Sequence, residues 1–203
     1  MMKDNWEGLI VDGSQKNIER VRDSYYFWRY DLQACQKFVS VENINDILDM
    51  SGFRDRLGIL SIDIDGVDYH VLKAIRACRP HILIVEYNAV FGPHRRVTVP
   101  YRPDFNRTKA HYSNIYWGAS LAAMNSLASD WGLRLVGTNK AGNNAFFIRE
   151  DNPLVENFPG SVEEKFTASR FRESRNRDGS LSFVRYSDLA ELISELPLVE
   201  VES

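Results

Sequence analysis

The chain has 203 residues, 44% of them hydrophobic and 26% charged, which suits one domain with a buried core and excludes a disordered chain. A formal net charge of −3 excludes a broad electrostatic attraction to nucleic acid or acidic lipid. No apolar run approaches the roughly 20 residues that span a bilayer, and the opening MMKDNWEGLIVDGS has no basic region followed by an apolar stretch, so a cytoplasmic protein without membrane or nucleic-acid partners is expected.

Residues 8–12, GLIVD, read as a buried strand stopped by Gly13-Ser14, and Ser14 is placed to cap a helix with Ile18, Val21 and Tyr25 on its inner stripe. Residues 32–40 read as a weaker strand, and 43–50 as a short helix turning Ile44, Ile47 and Leu48 inward. Residues 59–63 form the next buried strand; Val67, Val71, Ala74, Ile75 and Cys78 then keep helical spacing until Pro80. Residues 81–86 are almost purely aliphatic, the pattern of a strand covered on both faces. Residues 89–118, rich in Pro, Arg, Tyr and His, break the rhythm, and loops of that length are usually functional or disordered. A helix carrying Leu121, Met124, Leu127, Ala128 and Trp131 restores it, and two strands, 133–138 and 144–149, follow across an Asn/Gly turn.

Residues 151–203 begin with a polar run holding Arg170, Arg172, Arg175 and Arg177, which reads as a solvated or salt-bridged helix face. A helix with Leu189, Leu192, Ile193 and Leu196 on one stripe closes the chain. Cys35 and Cys78 stand in apolar-patterned segments and read as buried reduced thiols. The expected fold is α/β: residues 1–150 form a Rossmann-like, doubly wound, mostly parallel sheet with a C-terminal antiparallel hairpin, and 151–203 form a helical appendage packed on it.

Ligands of open parallel sheets bind at the carboxyl ends of the strands. Three strands here end in acids: Asp12, Asp63 with Asp65, and Glu86 followed by Asn88. Like charges converging on one edge repel unless a ligand or cation compensates them. The densest stretch is LSIDIDGVDY, residues 60–69, where Gly66 permits a tight turn and Asp65 or Asp68 can face the start of the next helix. Three chemistries can use it. The stretch resembles the nucleophile motif of haloacid-dehalogenase-like phosphatases, with Asp63 as nucleophile and Asp65 as acid/base, although no later acidic pair follows to hold the metal. Asp-x-Asp also suits a nucleotide-sugar glycosyltransferase holding a metal-bound diphosphate.

The third resemblance is the most specific. WEGLIVDGS, residues 6–14, resembles the second strand of class I methyltransferases that use S-adenosylmethionine (SAM); SIDIDGVDYHVLKAI resembles the fourth-strand segment of the FkbM-type enzymes, with Asp65 where that family often has Glu; IVEYN, residues 84–88, and the 133–149 hairpin resemble the strands that follow. The resemblance implies that Asp12 binds the SAM ribose, that Ser40 lies beside adenine, and that Asp63 stands near the methionine part and the incoming acceptor. It implies methyl transfer to a small acceptor such as a sugar hydroxyl, with Asp63, Asp65 and His94 as catalytic candidates. Similarity to metal-dependent O-methyltransferases adds Mg²⁺ on Asp63, or Asp65 in its place, with Glu86 and Asn88, with one residue more between the last two than those enzymes have.

A complete site of this kind also needs a first strand and a glycine-rich turn, and the sequence has no G-x-G. The expectation is therefore a fragment or a start at an internal Met, lacking the first strand and helix, although a partner-completed protein and a non-catalytic, partner-binding module stay open.

Overall fold

Residues 6–76, 78–170 and 174–202 are described by a computed structural model of the chain. The first aliphatic run forms β1 (Gly8–Asp12). Helix α1 (Gln15–Arg22) starts where the Ser14 hydroxyl accepts from the Asn17 N–H, satisfying one of the amides that a helix start leaves open. It stops short of Tyr25 because Ser24 caps a separate helix, α2 (Tyr25–Arg29). Tyr25 thus leaves the expected stripe and is 68% exposed, whereas Ile18 is fully buried. β2 (Leu32–Gln36) lies parallel to β1, Gly8 opposite Leu32 and Asp12 opposite Gln36.

Helix α3 (Ile44–Ser51) buries Ile44, Ile47 and Leu48 and ends at Gly52, whose φ of +71° only glycine adopts freely. β3 (Ile59–Ile62), α4 (Asp68–Ala74) and β4 (Ile82–Glu86) form a parallel crossover unit. α4 is shorter than its apolar spacing suggests: Ile75 is already extended, and the Asn45 amide takes the Ala74 carbonyl. Cys78 is buried all the same, Cys35 is half-buried, and both are free thiols.

The long 89–118 connection is structured, with a two-residue strand, β5 (Val97–Thr98), and a one-turn helix, α5 (Arg107–Ala110). Ser120 caps α6 (Leu121–Asp130), which leads to the hairpin of β6 (Leu133–Thr138) and β7 (Asn144–Arg149). The Asn139 side-chain oxygen accepts from the N–H groups of Gly142, Asn143 and Asn144, so the turn uses Asn to satisfy backbone. Beyond it lie α7 (Val162–Lys165), α8 (Tyr186–Leu189) and β8 (Val199–Glu200), and β8 pairs antiparallel with β5. The helix expected at 189–196 is one turn of α8 and a 3₁₀ turn, Glu191–Ile193, yet Leu189 and Ile193 are still buried.

The chain is α/β, but its sheets are mixed where a mostly parallel sheet was expected. The four-stranded sheet runs β3-β4-β7-β6, and only its β3/β4 pair is parallel. The reason is the hairpin: its second strand, β7, docks on β4, which makes both of the last pairings antiparallel. β1-β2 and β5-β8 are separate two-stranded sheets. Among the described residues no strand pairs with β1 on the edge away from β2, or with β3 on the edge away from β4. These two strands begin side by side. Arg56 donates to Glu7 at 2.6 Å, and the Trp6 ring lies so near Gly58 that a Cβ there would meet it at 2.7 Å. The main core packs Leu83, Val85 and Phe147 of the four-stranded sheet against Val71 and Leu72 of α4 and Leu121 and Met124 of α6. Among the described residues, no helix is long and apolar enough to cross a membrane.

Candidate active site

Strand register brings the acids together. Ile62 stands opposite Val85 in the parallel β3/β4 pair, so the residues that follow, Asp63 and Glu86, leave adjacent strands at the same end. Asp65 takes φ +56°, a left-handed conformation that Asp tolerates better than most residues. Asp63, Asp65 and Glu86 thereby bring carboxylate oxygens within 4.8 Å of one another. The two aspartates are exposed, whereas Glu86 is 6% exposed and its Oε2 is sealed from solvent with no hydrogen-bond partner among the described residues.

The electrostatics follow from that geometry. Burial first, then the charges of Asp63, Asp68 and Asp65, push the Glu86 pKa up to about 9 against the opposing pull of Arg107. Burial and the neighbouring Asp65 also raise Asp63, again opposed by Arg107. Beneath them Asp68, with no exposed surface, accepts from the backbone N–H groups of Ile64 at 2.8 Å and Gly66 at 3.0 Å. It clamps the turn that carries Asp65, and burial outweighs those two donors to lift its pKa to about 6. The Phe105 ring lies on Gly66, where a Cβ would come within 2.5 Å of it, so any larger residue in this turn would have to displace that ring. Arg107 donates to Asp65 at 2.8 Å and to the Asn114 carbonyl at 3.0 Å, and its guanidinium lies 4.5 Å from the centre of the Trp117 ring.

The other expected site residues lie elsewhere or are engaged. Asn88 is buried and spends its side chain on backbone, donating to the Ile115 and Trp117 carbonyls and accepting from the Val90 N–H. Its role in the structure is to brace the 115–117 segment, and Asp65 stands in the acidic group instead. The His94 side chain is 76% exposed and faces Glu163 at 3.7 Å, outside that group. Asp12 accepts from the Ser14 N–H at 2.7 Å and from the Asn17 amide at 3.0 Å. The Ser40 N–H donates to Asn43 at 3.0 Å, next to a pair in which the Tyr101 hydroxyl donates to the Glu42 carboxylate at 2.8 Å. The Ser40 and Tyr101 hydroxyls hold the Glu42 carboxyl below its ordinary range.

Sequence reasoning had no hold on Arg107 or Phe105, because nothing in their spacing ties them to the turn, which for Arg107 and Asp65 lies 42 residues away; the only signal is their place in the long 89–118 connection. The arginine run has no common helix face: the described positions 170 and 174–177 are not helical, Arg177 stacks on Tyr112 at 4.5 Å, and Arg172 lies outside the described residues.

Residues 9–109 match the sequence profile of the methyltransferase FkbM domain. That span runs from β1 into α5 and takes in Asp12, Ser40, all three clustered acids and Arg107. No curated protein and no solved structure matches the chain.

Proposed function

From the premise that the chain is FkbM-methyltransferase-like over residues 9–109, we propose that it carries the reaction side of a SAM-dependent methyltransferase whose acceptor is a small molecule with a reactive oxygen, such as a sugar hydroxyl. The observation that carries this reading is the convergence of Asp63, Asp65 and Glu86 inside the matched span, at the strand ends where open α/β sheets bind their ligands. SAM supplies a methyl group already activated on a sulfonium, so the protein's task is alignment and handling of the acceptor proton.

The residues suit a cationic cofactor. Among the described residues Asp63 and Asp65 share one neighbouring guanidinium, that of Arg107, and Glu86 adds a third charge once its proton is displaced, so the strand ends suit the sulfonium and ammonium groups of the cofactor. Each Asp12 oxygen is used once, by Ser14 or Asn17, and a carboxylate oxygen accepts a second hydrogen bond; Asp12 would hold the ribose hydroxyls. Ser40, beside Glu42 and Tyr101, would border adenine. Asp63 is exposed and holds a proton more tightly than an ordinary aspartate, which makes it the stronger base toward an acceptor hydroxyl. Arg107 would keep the Asp65 carboxylate turned to the same edge.

The resemblance implies a further strand carrying a glycine-rich turn. It would pair the edges of β1 and β3 that have no partner among the described residues and present backbone N–H groups to the cofactor. Calorimetric titration of SAM into the 203-residue chain, and into a form supplying that strand, tests the reading. Saturable binding is expected, weakened at least ~10-fold by Asp12→Ala if charged hydrogen bonds to the ribose are lost. Failure of both forms to bind SAM ends the proposal.

A further inference from the structure

We infer that Asp63, Asp65 and Glu86 form a binding site for one hard divalent cation, with a ligand set that includes Asp65 and leaves Asn88 in a bracing role. The inference stands apart from the methyl-transfer reading, because it concerns only what these three side chains hold.

The first observation is geometric. The three oxygens lie within 4.8 Å of one another, and oxygens on opposite sides of a Mg²⁺ or Ca²⁺ ion lie about 4–5 Å apart, given metal–oxygen distances of 2.0–2.6 Å. The second observation is independent of the crowding: Glu86 is 94% buried, its Oε2 has no hydrogen-bond partner, and the group it belongs to is the acidic one. Buried polar atoms are satisfied in the great majority of cases, so an orphaned oxygen on a buried acid that also reaches within 4.8 Å of two other carboxylates marks the place of a missing partner. That partner must be positive or a donor, and it must reach all three side chains at once.

Arg107 does not fill this role. Its guanidinium is held by the Asn114 carbonyl and the Trp117 ring, and it reaches the Asp65 Oδ1 from one side. Asp63, Asp65 and Glu86 each still offer a carboxylate oxygen to a common centre. Carboxylate oxygens are hard ligands that favour Mg²⁺, Mn²⁺ or Ca²⁺ over softer ions such as Cu(I). Three protein ligands leave roughly half of an octahedral shell for solvent or for an oxygen of a bound acceptor. Asn88, with both polar side-chain atoms committed to Val90, Ile115 and Trp117, supports the Trp117 wall on which Arg107 rests.

Mn²⁺ titrated into the 203-residue chain, followed by electron paramagnetic resonance of the free ion with Mg²⁺ and Ca²⁺ as competitors, tests the site without SAM. One saturable site is expected. Glu86→Gln, which keeps the side-chain shape, and Asp63→Asn, on an exposed residue, are each expected to weaken it at least ~10-fold, the loss of a charged ligand. Asp104→Asn, on a carboxylate paired with Arg102, is expected to leave it unchanged. Circular dichroism checks that each variant is folded. Absence of saturable Mn²⁺ binding to the wild-type chain, or binding that both Glu86→Gln and Asp63→Asn leave intact, overturns the inference.

Discussion

β1 and β4 are written in nearly the same letters, an aliphatic run closed by an acid, yet their surroundings are opposite. In β4, Leu83 and Val85 are at most 1% exposed, with β3 and β7 on either side. In β1 and β2 no residue is buried, and Ile10 is 37% exposed. The aromatic helix beside them sends Tyr25, Tyr26 and Trp28 into solvent. The difference is one of neighbours. A strand paired on both edges and covered by α4 and α6 completes its core, while β1 has a partner on one edge only among the described residues. An aliphatic strand therefore states which surfaces need covering, and the covering has to come from other elements.

The largest expected effect breaks the well-covered side. Phe147→Ala removes a fully buried ring from the centre of the four-stranded sheet, a change worth about 3–5 kcal/mol. Ile10→Ala, on the ribbon where no residue is buried, should cost less, about 1–2 kcal/mol, because over a third of its surface stays in water and no closed cavity is left behind. Urea denaturation of the two variants measures both, and equal losses would refute the contrast. Hydrogen exchange sharpens it further. Amides of β1 and β2 should exchange well before those of β4 and β7, because few buried contacts resist their local opening.

The acidic strand ends give the next effect, of order 1–3 kcal/mol. In metal-free protein Glu86 has its pKa raised to about 9, by burial and by Asp63, Asp68 and Asp65 against Arg107, and buried Asp68 to about 6. For both, the folded state binds its proton more tightly than the unfolded state. Their contribution to stability is therefore complete below the ordinary carboxyl range and is lost as pH rises, through about 6 for Asp68 and about 9 for Glu86. Thermal unfolding in EDTA should show stability declining from mildly acidic to alkaline pH. Glu86→Gln should flatten the upper part of that decline and be more stable than wild type at alkaline pH. A pH profile unchanged by the substitution would show that Glu86 carries no such strain.

What the sequence disclosed followed chain direction and local period. Gly8–Asp12, β6 and β7 could be bounded to the residue, because runs of alternating or continuous apolar character end there in Gly, Asn or Asp. The acidic strand ends were visible for the same reason. Two kinds of feature were not. Ser24 divides α1 from α2 through one side-chain cap, which competes with a periodicity that continues past it. Arg107 and Phe105 reach the Asp63–Gly66 turn through tertiary contact alone, as β8 reaches β5. Asn88 belongs to a third kind: its position at a strand end suits a ligand, and only the fold shows that its amide also satisfies buried backbone carbonyls.

The smallest effect bears on whether the ribbon is bare in solution. Trp28 is 82% exposed and α2 contains no buried residue, so Trp28→Ser should change stability by less than about 0.5 kcal/mol. The same substitution should reduce self-association at high concentration, seen by light scattering, because it removes the largest ring from an exposed aromatic cluster. Should Trp28→Ser instead destabilise the protein in a concentration-dependent way, the ring is covered by a second copy in solution. The contrast between the two regions would then belong to the isolated chain, and the β1-β2 ribbon would be the part of the molecule completed by association.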